Sequence, residues 1–199
     1  MIQLQLFAAT VAWVGITIVV LAAVAVAVLA IRLKQPALAL AGLFPVAFGL
    51  LALVMGVHIQ APPMVAGIVG LGLAALGIIG GNPLTAWVLH RASRGDVDGA
   101  HGGILVPEAT ASGARSTTKT REVLRGGTWI GYLERFAIVG AIAVGRFEII
   151  AAVIAIKGLG RFTELDAPET RERFLIGTLV SMTWAAVCGA LIVLSVVPA

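Results

Sequence analysis

Apolar residues fall into five long runs, separated by segments that are polar or contain proline. The runs cover residues 6–31, 36–59, 64–89, 129–156 and 174–197. Each has about 20 residues or more, the length that an α-helix needs to cross a hydrocarbon core of about 30 Å. The pattern therefore predicts an all-α integral membrane protein, built as a bundle of five transmembrane helices.

The stretch between the third and fourth runs is rich in Gly, Ala, Ser, Thr and charged residues, which predicts a long polar loop. The chain then divides into a glycine-rich three-span region at 1–90, the loop at 91–128 and a two-span region at 129–199. The basic pair Arg32 and Lys34 follows the first run, which favours a retained helix over a cleaved signal peptide.

The distribution of Lys and Arg predicts an orientation, because cytoplasmic loops are enriched in these residues. With five spans, one side has eight of them and the other has four. The first group is Arg32, Lys34, Arg91, Arg94, Arg115, Lys119, Arg121 and Arg125, and the second is Lys157, Arg161, Arg171 and Arg173. We therefore expect a cytoplasmic loop, an N-terminus outside and a C-terminus in the cytoplasm.

Small residues recur at helical spacings and predict close helix packing, because association in lipid depends on close backbone approach. They form three rows: Gly42, Gly49 and Gly56; Gly67, Gly70, Ala74, Gly77 and Gly81; Gly177, Ser181, Ala185 and Gly189. The first two rows are expected to bring the second and third spans together. The pair Asn82-Pro83 predicts a break or kink in the third span, because proline lacks a backbone donor.

Composition narrows the function classes. Hydrophobic residues make up 59% of the chain and charged residues 12%, with a mean hydropathy of +1.03. No basic run is interleaved with aromatic residues, so nucleic acid is not an expected partner, and the net charge of +4 is assigned to orientation and anionic lipid. Three scattered histidines, the single cysteine Cys188 and the absence of nucleophile or phosphate-loop motifs give no support for catalysis, a metal site or a cofactor.

Ionisable residues interrupt the fourth apolar run and are the candidate functional site. They are Glu134, Arg135, Arg146 and Glu148, with Lys157 and Arg161 at its far end. A charge at the centre of a membrane helix costs about 2.5–3.5 kcal/mol on translocon scales, so it usually faces protein, water or a ligand.

Arg135, Arg146 and Lys157 are 11 residues apart. On one continuous helix they would form a single stripe, because 11 steps of about 100° return to within about 20°. The alternative is a break at Gly145, which would give a re-entrant pair and change the number of spans.

Three interpretations of these charges stay open beside simple anchoring by snorkelling. A second copy could neutralise Arg146 and Glu148 in a two-fold dimer, the basic stripe could bind an anion, or Glu134 or Glu148 could serve as a proton or cation site. The partners expected are the bilayer, anionic lipid and a homo-oligomer or larger membrane complex. The predicted function is binding or translocation of a small ion or an anionic headgroup. The alternative is a non-transporting accessory or scaffold subunit.

Three segments carry a resemblance: LRGGTWIGYLER (124–135), IKGLGRF (156–162) and ERFLIGTLVS (172–181). Over residues 121–187 the chain resembles an uncharacterised bacterial multi-pass membrane-protein family, whose members carry a G-x-x-I-G-[WY]-L-E-R segment, a later K-x-x-x-R-F and an F-L-I-G-T-L motif. The resemblance implies a location in the bacterial plasma membrane and supplies no activity. It covers Glu134, Arg135, Lys157 and Arg161.

Overall fold

The computed structural model describes residues 2–56, 62–92, 104–107, 120–123, 127–161 and 168–196. Within these ranges the chain is almost entirely helical. The helices are α1 (Ile2–Arg32), α2 (Leu43–Val54), α3 (Pro63–Ile79), α4 (Gly81–Ala92), α5 (Gly127–Ala143), α6 (Glu148–Arg161) and α7 (Pro168–Val196), with a 3₁₀ helix (Pro36–Gly42) immediately before α2. The strands β1 (Ile104–Pro107) and β2 (Thr120–Val123) pair antiparallel, with Ile104 opposite Val123. Most of the predicted 91–128 loop lies outside the described residues.

Four helical segments are long and apolar enough to cross a membrane. They are Phe7–Arg32, Pro36–Val54, Pro63–Ala92 and Arg171–Leu194. These segments match four of the five predicted spans, so the helical, membrane-type fold is confirmed. The fourth predicted span is not one continuous helix, because this part of the chain forms the two shorter helices α5 and α6, of 17 and 14 residues. This is the second of the two arrangements that the sequence left open.

The break between α5 and α6 is made by Gly145, as the alternative interpretation of the sequence predicted. Gly145 has a φ of +69°, a backbone conformation that glycine adopts without the steric cost of a Cβ. The Arg146 N–H donates to the Ala141 carbonyl at 2.7 Å, and the Gly145 N–H donates to the Ile142 carbonyl at 3.1 Å. These two bonds are the Schellman arrangement that ends a helix. The chain then reverses, and α6 packs back along α5 as the second arm of a hairpin.

Packed pairs of residues give the directions of the helices around α7. Going along α7 towards its C-terminus, the residues packed against it have rising numbers in the 3₁₀–α2 segment and in α5. In α3 and α4 the numbers of these residues fall. The pairs are Gly42–Trp184 and Gly49–Leu191, Arg135–Ser181 and Ile142–Gly189, and Gly77–Cys188 and Thr85–Gly177. The 3₁₀–α2 segment, α5 and α7 therefore run one way, and α3–α4 run the other way.

The hairpin also decides where the ends of the bundle lie. One end of the bundle holds the last residues of α1, α4 and α6 and the first residues of the 3₁₀ helix, α5 and α7. We call it the basic end, because Arg32, Lys34 and Arg91 lie there. The opposite end holds the α5–α6 turn, the start of α1 and the finish of α7. The expected placement of the N- and C-termini on opposite sides of the membrane does not fit this arrangement, because α6 adds a reversal that a five-span bundle lacks.

Small residues of the predicted rows lie at positions where helices pack closely. Some of them pack against helices other than those predicted. Gly49 of the second span packs against Leu191 of α7, while Gly42 contacts both Trp184 and Leu76. On α3, Gly77 packs against Cys188, which is fully buried. Gly42 and Gly49 of the second span therefore lie against α7, with Gly42 also against α3, and α7 forms the centre of the bundle.

The cap at Gly145 predicts a specific sensitivity. Gly145→Ala should lower the free energy of unfolding by about 1–2 kcal/mol, because residues with a Cβ disfavour positive φ. Gly140→Ala is the matched control: its added Cβ meets no heavy atom within 4 Å, and alanine is a better helix former by about 1 kcal/mol. Chemical unfolding in detergent micelles measures both variants. Equal destabilisation by the two substitutions would contradict the assigned role of Gly145.

Candidate functional site

The six residues predicted as the site occupy different places in the structure. Arg135 is in the core, Glu134 and Lys157 form an ion pair across the hairpin, and Arg146 and Glu148 form a second pair at the α5–α6 turn. Arg161 is the last residue of α6, and its side chain lies outside the described part of the chain. The predicted single basic stripe is therefore not formed, because the break at Gly145 separates Arg135 from Arg146 and Lys157.

Arg135 is the most deeply buried of these groups, with 2% of its surface exposed. Its guanidinium donates three hydrogen bonds to three different helices. Nε donates to the Ile78 carbonyl of α3 at 2.6 Å, Nη2 to Asn82 Oδ1 of α4 at 2.6 Å and Nη1 to Ser181 Oγ of α7 at 2.8 Å. The side chain thereby joins α5 to three neighbouring helices.

The acceptors for Arg135 exist because the third span is interrupted. α3 ends at Ile79 and α4 begins at Gly81, so carbonyls in the last turn of α3 are able to accept hydrogen bonds from side chains. The Leu76 carbonyl accepts from the Gly80 N–H at 2.9 Å and from Trp184 Nε1 at 3.0 Å, while the Ile78 carbonyl accepts from Arg135. A cation at a helix C-terminus is also stabilised by the helix dipole. The break predicted from Asn82-Pro83 is present but lies two residues earlier, at Gly80, and it provides a binding position for a guanidinium.

Glycine provides the space for the Arg135 side chain. A Cβ built at Gly81 would lie 2.5 Å from Arg135 Cδ and 2.7 Å from its Nε. At Gly131 on α5, an added Cβ would be 3.3 Å from Nη1. The ring of Tyr132 lies 5.2 Å from the guanidinium carbon, within the range of a cation–π contact. Backbone and aromatic surfaces thus enclose the cation.

The acceptors that hold Arg135 are all neutral. Within the described ranges, no carboxylate lies at ion-pair distance from its guanidinium, and the adjacent Glu134 is paired with Lys157 instead. The positive charge is therefore stabilised by dipoles, namely carbonyl, amide and hydroxyl oxygens. Removing one of these acceptors would leave a strongly solvated group with an unused donor in an apolar interior, which is costly.

Glu134 and Lys157 connect the two arms of the hairpin. Lys157 Nζ donates to Glu134 Oε2, and the two side chains are 14% and 10% exposed. The Lys157 ammonium also lies 5.7 Å from the centre of the Phe174 ring, which brings α7 into the contact. Both charged residues line a groove of about 330 Å³ between α5 and α6, whose other walls are apolar. The partner of Glu134 is therefore a residue of the same chain. The interpretation of the fourth run as one continuous helix did not identify this partner.

Arg146 and Glu148 lie at the tip of the hairpin. Arg146 Nη1 is 3.2 Å from Glu148 Oε1, and the side chains are 69% and 66% exposed. Val144 and Phe147 beside them are exposed as well. Among the described residues these are the charged groups at the opposite end, and they compensate each other locally.

Exposed cations at the basic end form a further charged surface, and Arg171 and Glu172 near the start of α7 are exposed at this end as well. Arg32 and Lys34 lie at the turn after α1, and Arg91 lies at the end of α4 with its guanidinium carbon 5.2 Å from the centre of the Trp87 ring. We call these three residues the basic rim. The first 95 residues of the chain contain no Asp or Glu, so these helices supply no compensating carboxylate.

Sequence reasoning missed the partners of Arg135. Asn82 was interpreted only as part of a break in the third span and Ser181 as a packing residue, whereas both accept hydrogen bonds from Arg135. The signal that could have identified them is their rarity, because each is a polar residue within an otherwise apolar span. Predicting that Asn82 or Ser181 binds Arg135 requires the distances between helices, which the sequence does not give.

Comparison of the chain with family models, curated proteins and solved structures finds no match. The resemblance given by the three sequence segments therefore stays a prediction. The function is accordingly inferred from the residues themselves.

The Arg135 contacts predict a difference between two arginines. Arg135→Lys should lower the free energy of unfolding by about 2–4 kcal/mol, because an ammonium cannot reach three acceptors in the geometry of a guanidinium. The control Arg146→Lys, at the exposed tip, should change it by less than about 0.5 kcal/mol. Unfolding of both variants in the same detergent measures this difference. Similar values for the two variants would contradict the role given to Arg135.

The close approach of Gly81 to Arg135 predicts an interaction between two substitutions. Gly81→Ala should destabilise the protein by about 1–3 kcal/mol, because its Cβ overlaps the Arg135 side chain. In an Arg135→Ala background most of this effect should disappear, which a double-mutant cycle measures as a coupling energy. Gly67→Ala on α3, whose added Cβ meets no heavy atom within 4 Å, is the control for the loss of glycine. A purely additive cycle would contradict the contact.

Proposed function

We propose that this protein is a non-enzymatic membrane protein that binds anionic lipid headgroups at its basic rim. The observation that carries the proposal is the exposure of Arg32, Lys34 and Arg91 at one end of a bundle whose first 95 residues contain no acidic side chain. Lys and Arg attract anionic lipids by about 1 kcal/mol each near a membrane surface. Arg91 also stacks near Trp87, a residue type enriched at the level of the headgroups.

The wider charge distribution supports the same assignment. Of the 14 Lys and Arg residues, all except Arg135 and Arg146 lie at the basic end or in the segment 93–126. This segment follows the end of α4 and precedes the start of α5, and both of these helix termini are at the basic end. Cytoplasmic segments of membrane proteins carry this excess. The proposal therefore places the basic end in the cytoplasm and the start of α1 and the finish of α7 on the outside.

Binding is favoured over translocation by the separation of the buried charges. Arg135 is held by neutral acceptors, Glu134 is paired with Lys157, and Arg146 is paired with Glu148 at the tip. In the described ranges these groups form three separate clusters, whereas a translocation pathway needs a succession of polar positions across the bundle. Ion translocation and the accessory-subunit function are kept as outcomes of the test.

The proposal predicts that the protein retains anionic lipid through the basic rim. In nanodiscs with equal phosphatidylglycerol and phosphatidylcholine, wild-type protein should retain phosphatidylglycerol preferentially after extraction. In the triple variant Arg32→Gln, Lys34→Gln, Arg91→Gln the preference for phosphatidylglycerol should fall at least about tenfold, since the variant removes three attractions of about 1 kcal/mol each. Native mass spectrometry of the retained lipids measures the ratio, and rising salt should weaken it.

Arg146→Gln is the matched control, because it removes one exposed cation from the opposite end. It should leave the preference unchanged. An equal lipid ratio for wild type and the triple variant would rule out headgroup binding at the rim and favour the accessory-subunit function. Ion flux in proteoliposomes that Arg146→Gln or Glu148→Gln abolishes would instead favour translocation.

A further inference from the structure

The groove between α5 and α6 combines an ion pair with apolar walls on the outer side of the hairpin. Its volume is about 330 Å³, within the range of small-molecule sites, and Glu134 and Lys157 line it together with aliphatic side chains. Leu133 and Ile156 on its two walls are 66% and 72% exposed. In a bilayer such a surface contacts acyl chains, so a lipid chain can occupy the groove without displacing protein contacts.

Among the residues that the structure describes, Glu134 and Lys157 hydrogen-bond only to each other through their side chains, so the ion pair retains hydrogen-bonding capacity. An ammonium has three N–H donors, and Lys157 gives one of them to Glu134 Oε2. A carboxylate accepts at two oxygens, and the contact with Lys157 occupies one of the two on Glu134. Because both residues line the groove, a ligand there meets an available acceptor beside an available donor.

The two charges together select the headgroup. A purely anionic group is attracted by Lys157 and repelled by Glu134, and a simple cation meets the reverse. A zwitterion with a primary ammonium and a phosphate satisfies both residues. A quaternary ammonium carries the same charge but has no N–H to donate to Glu134, so it cannot form the charge-assisted hydrogen bond.

The position of the groove fits a lipid headgroup near the membrane surface. Glu134 lies about 10 Å along α5 from its first residue, at 1.5 Å per residue. Trp129 on the same helix is 74% exposed and packs edge-to-face on Tyr132, with ring centroids 6.0 Å apart. Tryptophan and tyrosine concentrate at the interface between headgroups and hydrocarbon. The ion pair is therefore within reach of a headgroup that enters from the basic end.

We propose that the α5–α6 groove is a binding site for a phospholipid with a primary-amine headgroup. The lipid ammonium donates to Glu134, the phosphate accepts from Lys157, and an acyl chain lies along the apolar walls. This site is separate from the basic rim and does not rest on its function.

The test uses the full-length protein in nanodiscs with equal phosphatidylethanolamine, phosphatidylcholine and phosphatidylglycerol. Wild-type protein should retain phosphatidylethanolamine over phosphatidylcholine by about tenfold, the factor that corresponds to one charge-assisted hydrogen bond. Glu134→Gln should bring the ratio close to one. Ala137→Leu, which fills the groove without changing any charge, should do the same and keeps the test valid if Glu134→Gln does not fold.

Ala143→Leu is the matched control, because Ala143 is on the same helix and lines a different, apolar groove between α3 and α5. It should preserve the ethanolamine preference, and circular dichroism checks the folding of each variant. Equal retention of the two zwitterionic lipids by wild type would overturn the proposal, as would a preference that survives in both groove variants. The rim variant should lose phosphatidylglycerol and keep phosphatidylethanolamine, so failure of one proposal is distinguishable from failure of the other.

Discussion

The buried guanidinium of Arg135 is the contact on which the centre of the bundle depends. A cation in an apolar interior requires acceptors in fixed positions, and here they come from the end of α3, from Asn82 and from Ser181. The interruption between α3 and α4 frees a carbonyl for this purpose, and Gly81 leaves room for the side chain. The irregularity in the third span and the charge in α5 therefore stabilise each other, and neither would be favourable alone.

The reversal at Gly145 has the widest consequences for the arrangement of charge. It brings Lys157 next to Glu134, so two groups that would be isolated on a continuous helix neutralise each other. It also returns the chain to the basic end before α7 begins, which gathers nearly all cations at one end of the bundle. One glycine with a positive φ thus determines the local pairing and returns four further cations, together with four carboxylates, to the basic end.

The charged surfaces proposed to bind lipid differ in chemistry because their surroundings differ. The basic rim is exposed and has no carboxylate on its helices, so it attracts negative charge by long-range electrostatics that salt screens. The groove presents one donor and one acceptor in a largely buried setting, where hydrogen-bond geometry discriminates more strongly than net charge. The two proposals therefore concern two classes of headgroup at the same end of one small bundle.

Hydrophobic run lengths by themselves determined the membrane-type helical fold and four of its spans, because crossing a bilayer fixes a minimum length of apolar helix. Local rules also identified the interruption near Asn82-Pro83 and offered Gly145 as a possible break. Only the tertiary structure decided that the break occurs, that Arg135 binds Ser181 and Asn82, and that Glu134 binds Lys157. These contacts join residues 23 to 53 positions apart, and helical periodicity relates residues only within one continuous helix.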